Sequence, residues 1–382
     1  MEDRIYLDNA ATTSLDPEVL QEMMPWLTEH CGNPSSIHGT GREAQRALDR
    51  ARKRTAAALG AKPQEIYFTS GGTESDNWAL RGAAWAGREK GRHLITDAVE
   101  HHAVLHTFRW LEEQGFETTV LPVDSLGRVD PEAVRRAIRK DTILVSVMAA
   151  NNEIGTLQPV EEIGRITREA GVLFHTDAVQ AIGAIPVSPE AWGADLLSLS
   201  GHKFHGPKGT GALYIRLGTR IAPLMQGGAQ ERGLRGGTEN VAGIVGLGRA
   251  IEKATGNIPE RTERIRALRD RLIRGVLEGI PEARLNGDPD RRLPGNAHFS
   301  FPGVDGEALL LRLDLMGIAC SGGSACTSGS PEPSHVLTAI GQGPELAGSG
   351  LRITLGDGNT EAEIDDTLVA LKRLVPELRG MR

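Results

Sequence analysis

Three side chains have the type and setting for covalent chemistry: a lysine after a strand-like run, an aspartate 26 residues before it, and a cysteine in a run of small residues. Lys203 lies in SLSGHKFHGPKGTGALYI, after an apolar run that ends in Ser200 and before a Gly/Pro turn. A lone lysine is normally solvated, as Lys208 inside the turn is expected to be. At a pocket floor the amine is desolvated instead, its pKa falls, and it can form a Schiff base. Asp177 closes the run VLFHTD. It reads either as a helix N-cap or as the carboxylate that keeps a pyridine nitrogen protonated, which pyridoxal phosphate needs to act as an electron sink. Cys326, in CSGGSACTSG, sits among Gly, Ser, Ala and Thr. So few apolar side chains cannot hold a segment rigid, so this is a loop, open to a role as nucleophile, metal ligand, disulfide half or none. Cys320 follows LDLMGIA at a strand end and reads as a small buried residue.

Two further loops fit the same chemistry. TSGGTESDNWAL places Ser70, Gly71, Gly72 and Thr73 between a strand and a helix. Free backbone N–H groups and the helix dipole make a phosphate cradle there, although Thr73 with a nearby acid also reads as a plain capping box. DAVEHHAVLHT carries adjacent histidines, one of which could stack on a planar cofactor and move protons near neutral pH. Zinc fits poorly, because His101, His102 and His106 lack HExxH spacing and the cysteines show no CxxC. Neither a Walker A sequence nor GxGxxG is present, which argues against nucleotide binding.

These loops need a framework. From Glu65 to Arg216 strand-like runs (EIYFTSGG, HLITDA, TTVLPV, ILVSVMA, VLFHTDA, DLLSLS, GALYIR) alternate with amphipathic stretches. That pattern predicts an α/β fold with a mostly parallel central sheet and helices on both faces, with ligands at the carboxyl ends of the strands. After about Asn257 comes a long charged helix, a polar loop and a final helix over 361–378, a smaller α+β domain. The expected division is 15–257 for the large, cofactor-binding domain, and 1–14 with 258–382 for the small domain carrying a mobile cysteine loop at about 321–333. At 382 residues the chain exceeds one ordinary core. A net charge of -7 without a basic patch argues against nucleic acid as a partner. The acidic N-terminus and the short apolar runs argue against a signal peptide or a membrane span. Three cysteines, an odd number, fit a reducing compartment, with the cytoplasm as the default.

Taken with YLDNAATT, NPSSIH, NNEIGTLQP, GGTENVAGIVGL, SGGSACTSGS and LRITLG, these motifs resemble the NifS/IscS-type class I cysteine desulfurases, class-V aminotransferase-like enzymes of fold type I. The resemblance runs from Tyr6 to about Leu378. It implies a pyridoxal 5'-phosphate enzyme, a homodimer, that converts L-cysteine to L-alanine and leaves the sulfur as a persulfide on Cys326. The sulfur then passes to an acceptor protein, an iron–sulfur scaffold or another sulfur relay. By the same resemblance Lys203 binds the cofactor, Asp177 and Gln180 contact its ring, and His101 stacks on it and handles protons. Thr73, Ser200 and His202 take the phosphate, with Thr238 reaching in from the partner subunit, Gly72 and Asn152 also bind the cofactor, and Asn152 and Arg352 hold the substrate carboxylate. No metal is implied. Gly323 stands where many relatives have Ser, and Arg382 closes the chain where scaffold-feeding relatives continue. The alternatives are a selenocysteine lyase or transaminase on the same scaffold, or a non-catalytic sulfur carrier that docks through the cysteine loop.

Overall fold

The computed structural model describes residues 4–322 and 333–380, so Cys326 and Gly323 lie outside the described residues. Twelve strands are described: β1 (Ile5–Tyr6), β2 (Ile66–Thr69), β3 (His93–Asp97), β4 (Glu117–Leu121), β5 (Thr142–Ser146), β6 (Leu173–Asp177), β7 (Leu196–Ser200), β8 (Gly211–Ile215), β9 (Arg284–Asn286), β10 (Asn296–Ser300), β11 (Ile318–Ala319) and β12 (Gly350–Thr354). Seven form one sheet in the order β2-β8-β7-β6-β5-β3-β4. All its pairings are parallel except those of β8, which runs antiparallel to both β2 and β7. The mostly parallel sheet expected from the sequence is therefore present.

Buried strands need apolar residues on both faces, and the period of two sorts them. Leu94, Leu144, Leu196, Leu213 and Ile215 face one way and pack with Trp78, Ala79 and Ala83 of the helix Gly72–Gly87. Ile95, Val145, Phe174, Leu197, Leu199 and Tyr214 face the other way, into a cluster shared with the helices Pro17–Thr28, Gly39–Leu59 and Val241–Gly256. Small residues let two of these helices meet closely. A Cβ built on Gly248 would stand 2.8 Å from the Cα of Ala51.

A second sheet, β12-β10-β9, is antiparallel and has its own core, with Leu268, Leu272, Phe299, Leu351, Leu371 and Val375 fully or nearly fully buried. Its helices include Ile258–Gly279 and Glu361–Arg379, where the charged helix and the final helix were expected. The N-terminus joins this part of the chain: β1 pairs in parallel with β11, and Leu7 belongs to the second core. Residues 8–13 then pass from there toward the carboxyl ends of β6 and β7. Asn9 Nδ2 donates to the Thr354 carbonyl at 2.9 Å, and Thr13 N to the His202 carbonyl at 2.9 Å.

Candidate active site

A cavity of about 200 Å³ opens at the carboxyl ends of the parallel strands. Its wall contains Gly72, Thr73, His101, Asn152, Asp177, Gln180, Ser200, His202, Lys203 and Arg352. These ten are all the site residues expected from the sequence except Thr238, which is exposed and outside the wall, and Cys326.

Lys203 follows β7 in a single turn of 3-10 helix, Gly201–Lys203. Its Nζ donates to the carbonyls of Ala10 and Ala11, at 2.6 and 2.8 Å, so the amine is steered by the N-terminal segment. Gln180 Nε2 reaches the same Ala10 carbonyl at 3.0 Å. Asp177 ends β6, and its Oδ1 accepts the Val179 N–H at 2.8 Å. No helix starts there, so Asp177 caps a turn and not a helix, contrary to one of its sequence readings. Burial pushes its carboxyl up to about 6, with the Lys203 charge opposing the shift.

The glycine loop departs from the capping-box reading as well. The N-cap of the helix Gly72–Gly87 is Gly71, which has no side chain to cap with, and Thr73 sits inside the first turn. The acid reaches back alone, Glu74 Oε2 accepting the Ser70 N–H at 2.9 Å while Arg235 grips the same carboxylate with two bonds. Gly71 has φ +154°, a conformation that side chains avoid, and a Cβ on Gly72 would come within 2.8 Å of Val179 Cγ2. The loop is thus bare backbone at a helix N-terminus, facing a cavity lined by Ser200 and His202, as an anion requires.

His101 caps the helix His102–Glu113, its Nδ1 accepting the Ala103 N–H at 3.1 Å. Burial first, and then the Lys203 charge, holds it down to about 4. At neutral pH the ring is therefore neutral with its proton on Nε2. His202 is held down to about 4 by the same causes, and its Nδ1 lies 3.1 Å from Thr12 Oγ1. Arg352, on β12, is 1% exposed. It donates to the Asn152 carbonyl at 3.0 Å and to Asp8 at 2.9 Å, while its Nε is buried without a partner among the described residues. A buried cation that keeps spare donors suits a carboxylate ligand.

Cys320 follows β11, and burial pushes its thiol up to about 12, which suits the inert role expected for it. Sequence reading missed several polar residues: Asp76 and Glu153 in the cavity wall, and behind it the buried His175, Ser146, Ser198 and Glu100. Ser146, His175 and Ser198 showed only as polar residues near the ends of apolar strands, and Asp76, Glu100 and Glu153 lie outside the strands and gave no such signal.

The residues fit pyridoxal phosphate. A bare glycine cradle suits the phosphate, a buried carboxylate at Asp177 suits a protonated ring nitrogen, and the Lys203 amine suits its aldehyde.

Comparison with known proteins gives the same picture. The chain matches the family described as aminotransferase class-V over residues 5–367. It is 56% identical over 377 residues to a cysteine desulfurase IscS of Methanosarcina thermophila, covering 99% of this chain and 93% of that protein. To a cysteine desulfurase IscS of Dictyoglomus turgidum it is 54% identical, covering 99% and 96%. Among solved structures it superposes on a NifS-like protein with a TM-score of 0.93 at 43% identity, covering 98% of this chain and 100% of that one.

Proposed function

The chain belongs to the class-V aminotransferase family and is a pyridoxal-phosphate-dependent cysteine desulfurase, and from that premise we propose how its own residues perform the reaction. The observation that carries the assignment of roles is the meeting of Lys203, Asp177, the Gly72–Thr73 loop and Arg352 in one cavity. When bound, pyridoxal phosphate supplies an aldehyde for amines and a ring that accepts electrons from the carbon bearing the amine.

Arg352 and the Asn152 side chain hold the carboxylate of L-cysteine, which fixes the substrate's orientation. Gly72, Thr73, Ser200 and His202 hold the phosphate, Gln180 contacts the ring, and the Asp177 carboxylate secures the ring proton. Lys203 Nζ, released as a free amine, takes the proton from the substrate's α-carbon. His101, neutral and with Nδ1 engaged by the Ala103 N–H, donates a hydrogen bond to the substrate from its Nε2–H. The Cys326 thiolate attacks the substrate sulfur. An S–S bond forms and the C–S bond breaks, its electron pair remaining with carbon, which gains a proton and leaves as L-alanine. Cys326 then carries the extra sulfur as a persulfide to an acceptor protein.

We further propose a homodimer in which Thr238 of each subunit reaches the other's cavity. This is supported by the exposure of Thr238 and by the tethering of the loop that leads to it. Glu231 and Arg232 both adopt left-handed backbone angles (φ 44° and 59°). Arg52 grips Glu231 with two bonds of 2.8 Å, and the Arg232 guanidinium stacks 3.8 Å from the centre of the Tyr67 ring. The separate cores of the two sheets support the domain division at 14/15 and 257/258. An iron–sulfur scaffold or another sulfur relay in the cytoplasm is the acceptor we propose. A free Cys31 thiol on the surface is compatible with a reducing compartment.

The test incubates cofactor-loaded protein with L-cysteine and assays alanine, with sulfide measured in the presence of a reductant. Lys203→Ala and Cys326→Ser should both abolish alanine formation. Transfer of the amino group of L-cysteine to a keto acid at the wild-type rate by Cys326→Ser, with the sulfur retained on the keto product, would favour a transaminase, and sulfur acquisition that survives Lys203→Ala would favour a carrier.

A further inference from the structure

On the face of the central sheet covered by the helix Gly72–Gly87, the apolar columns turn polar toward the strand ends. Ser146 on β5, His175 and Asp177 on β6, and Ser198 and Ser200 on β7 continue the columns begun by Leu144, Leu173 and Leu196. The covering helix adds one acid, Asp76, which is 1% exposed and lines the cavity. Its Oδ1 stands 3.6 Å from His175 Nε2 with no hydrogen-bond partner, and its carboxyl also faces Ser198. His175, fully buried, has Nε2 3.0 Å from Ser198 Oγ and Nδ1 2.8 Å from Ser146 Oγ. Ser146 Oγ is 3.5 Å from Glu100 Oε1.

The groups therefore stand in file: Asp76, Ser198, His175, Ser146, Glu100. Each serine has one proton, and a neutral imidazole has one donor and one acceptor nitrogen. Every link is satisfied only if the hydrogen bonds all point one way, so the donor at the starting end must be a protonated acid. Asp177 decides which end. Its charge raises the carboxyls at both ends, but it lies beside Ser198 in the β6–β7 register and lines the cavity with Asp76, whereas Glu100 is not in the cavity wall, so the Asp76 end is the one it faces. The other charged or titratable groups facing the file are Asp97 beside Glu100, and Lys203 and His101 across the cavity.

We propose that Asp76 and His175 are positioning residues for Asp177: Asp76, as the neutral acid, starts a one-way chain through Ser198, His175 and Ser146, leaving Asp177 as the ionised carboxylate available to a protonated ring nitrogen. Burial and the Asp177 charge both raise Asp76, and burial holds His175 down to about 3, so the imidazole stays neutral. This inference rests on the cofactor assignment above, and its test is separable from the desulfurase assay.

Asparagine mimics a neutral acid, because its amide can donate to Ser198. Titrating the apoprotein with pyridoxal phosphate should show D76N binding within about threefold of wild type and D76A weaker by roughly tenfold, the loss of one buried donor. The infrared spectrum of wild-type holoprotein should contain the carbonyl band of a protonated carboxylic acid that D76N lacks. If D76A does not fold, the D76N affinity and the infrared difference decide. Affinity lost equally in D76N and D76A, or no acid band removed by D76N, overturns the proposal. A wild-type protein that binds the cofactor yet makes no alanine would instead sink the desulfurase reading and leave these two measurements standing.

Discussion

Arg352→Lys tests whether the substrate is held by its carboxylate. Arginine has five N–H donors. Two of those on Arg352 serve the Asn152 carbonyl and Asp8, which leaves the buried Nε and two more for a ligand. Lysine keeps the charge and can keep the Asp8 pairing, but it has no planar fork. The variant therefore loses one of two bonds to the substrate while the protein's own ion pair survives. A hydrogen bond between charged groups is worth about 1.5–3 kcal/mol, so kcat/KM for L-cysteine should fall roughly 10- to 150-fold. The assay is alanine formation at substrate concentrations well below KM, run in parallel with a thiol amine that lacks the carboxylate, cysteamine, followed by sulfide release. Activity toward cysteamine should change by less than about threefold. If Arg352→Lys lowers both substrates equally, or neither, the carboxylate is not what this side chain holds.

Two other predictions follow from buried charges. Asp177 must be ionised to secure a protonated ring. Its folded-state carboxyl titrates near 6, so it gains a proton, and cofactor affinity declines, as pH falls through that value. Apoprotein titrations between pH 7 and pH 5 should weaken by roughly one extra decade per pH unit below 6 relative to Asp177→Asn, which has no carboxyl to titrate; parallel pH profiles for the two proteins would refute this. Arg52→Ala strands Glu231, whose side chain is 2% exposed, without its cation. Thermal or urea unfolding should show a loss of about 3–5 kcal/mol, and a loss below about 1 kcal/mol would mean that Glu231 finds another partner.

The central sheet was legible because its strands are short apolar runs separated by amphipathic ones, and a period of two survives any tertiary context. The motif residues were legible because the chemistry dictates them: an amine, a carboxylate and a bare glycine turn announce themselves by type. His175 and Asp76 were not. A histidine inside VLFHTD reads as an ordinary core residue until the neighbouring strands bring Ser146 and Ser198 to its two nitrogens, and that register is not written in any one segment. Thr73 misled for the opposite reason. Its spacing to an acid imitates a capping box, but the helix begins two residues earlier than that motif requires, at Gly72 behind a Gly71 cap. The small-residue helix pair Gly39–Leu59 and Val241–Gly256 was not singled out either, since alanine and glycine give almost no periodic signal.

The pairing of Arg352 with Asp8 spans 344 positions, and its consequence lies in the order of synthesis. A ribosome adding about 5–20 residues per second exposes the central sheet, with Lys203 and Asp177, well before β12 emerges. Until then the segment that steers the lysine amine, Ala10 and Ala11, lacks the Thr354 hydroxyl that holds the Ala10 N–H at 2.9 Å. The nascent chain can thus fold its largest core early, but the pocket closes only when β12 returns to residues 8–10, so a product that stops before β12 is left without a complete reactive site.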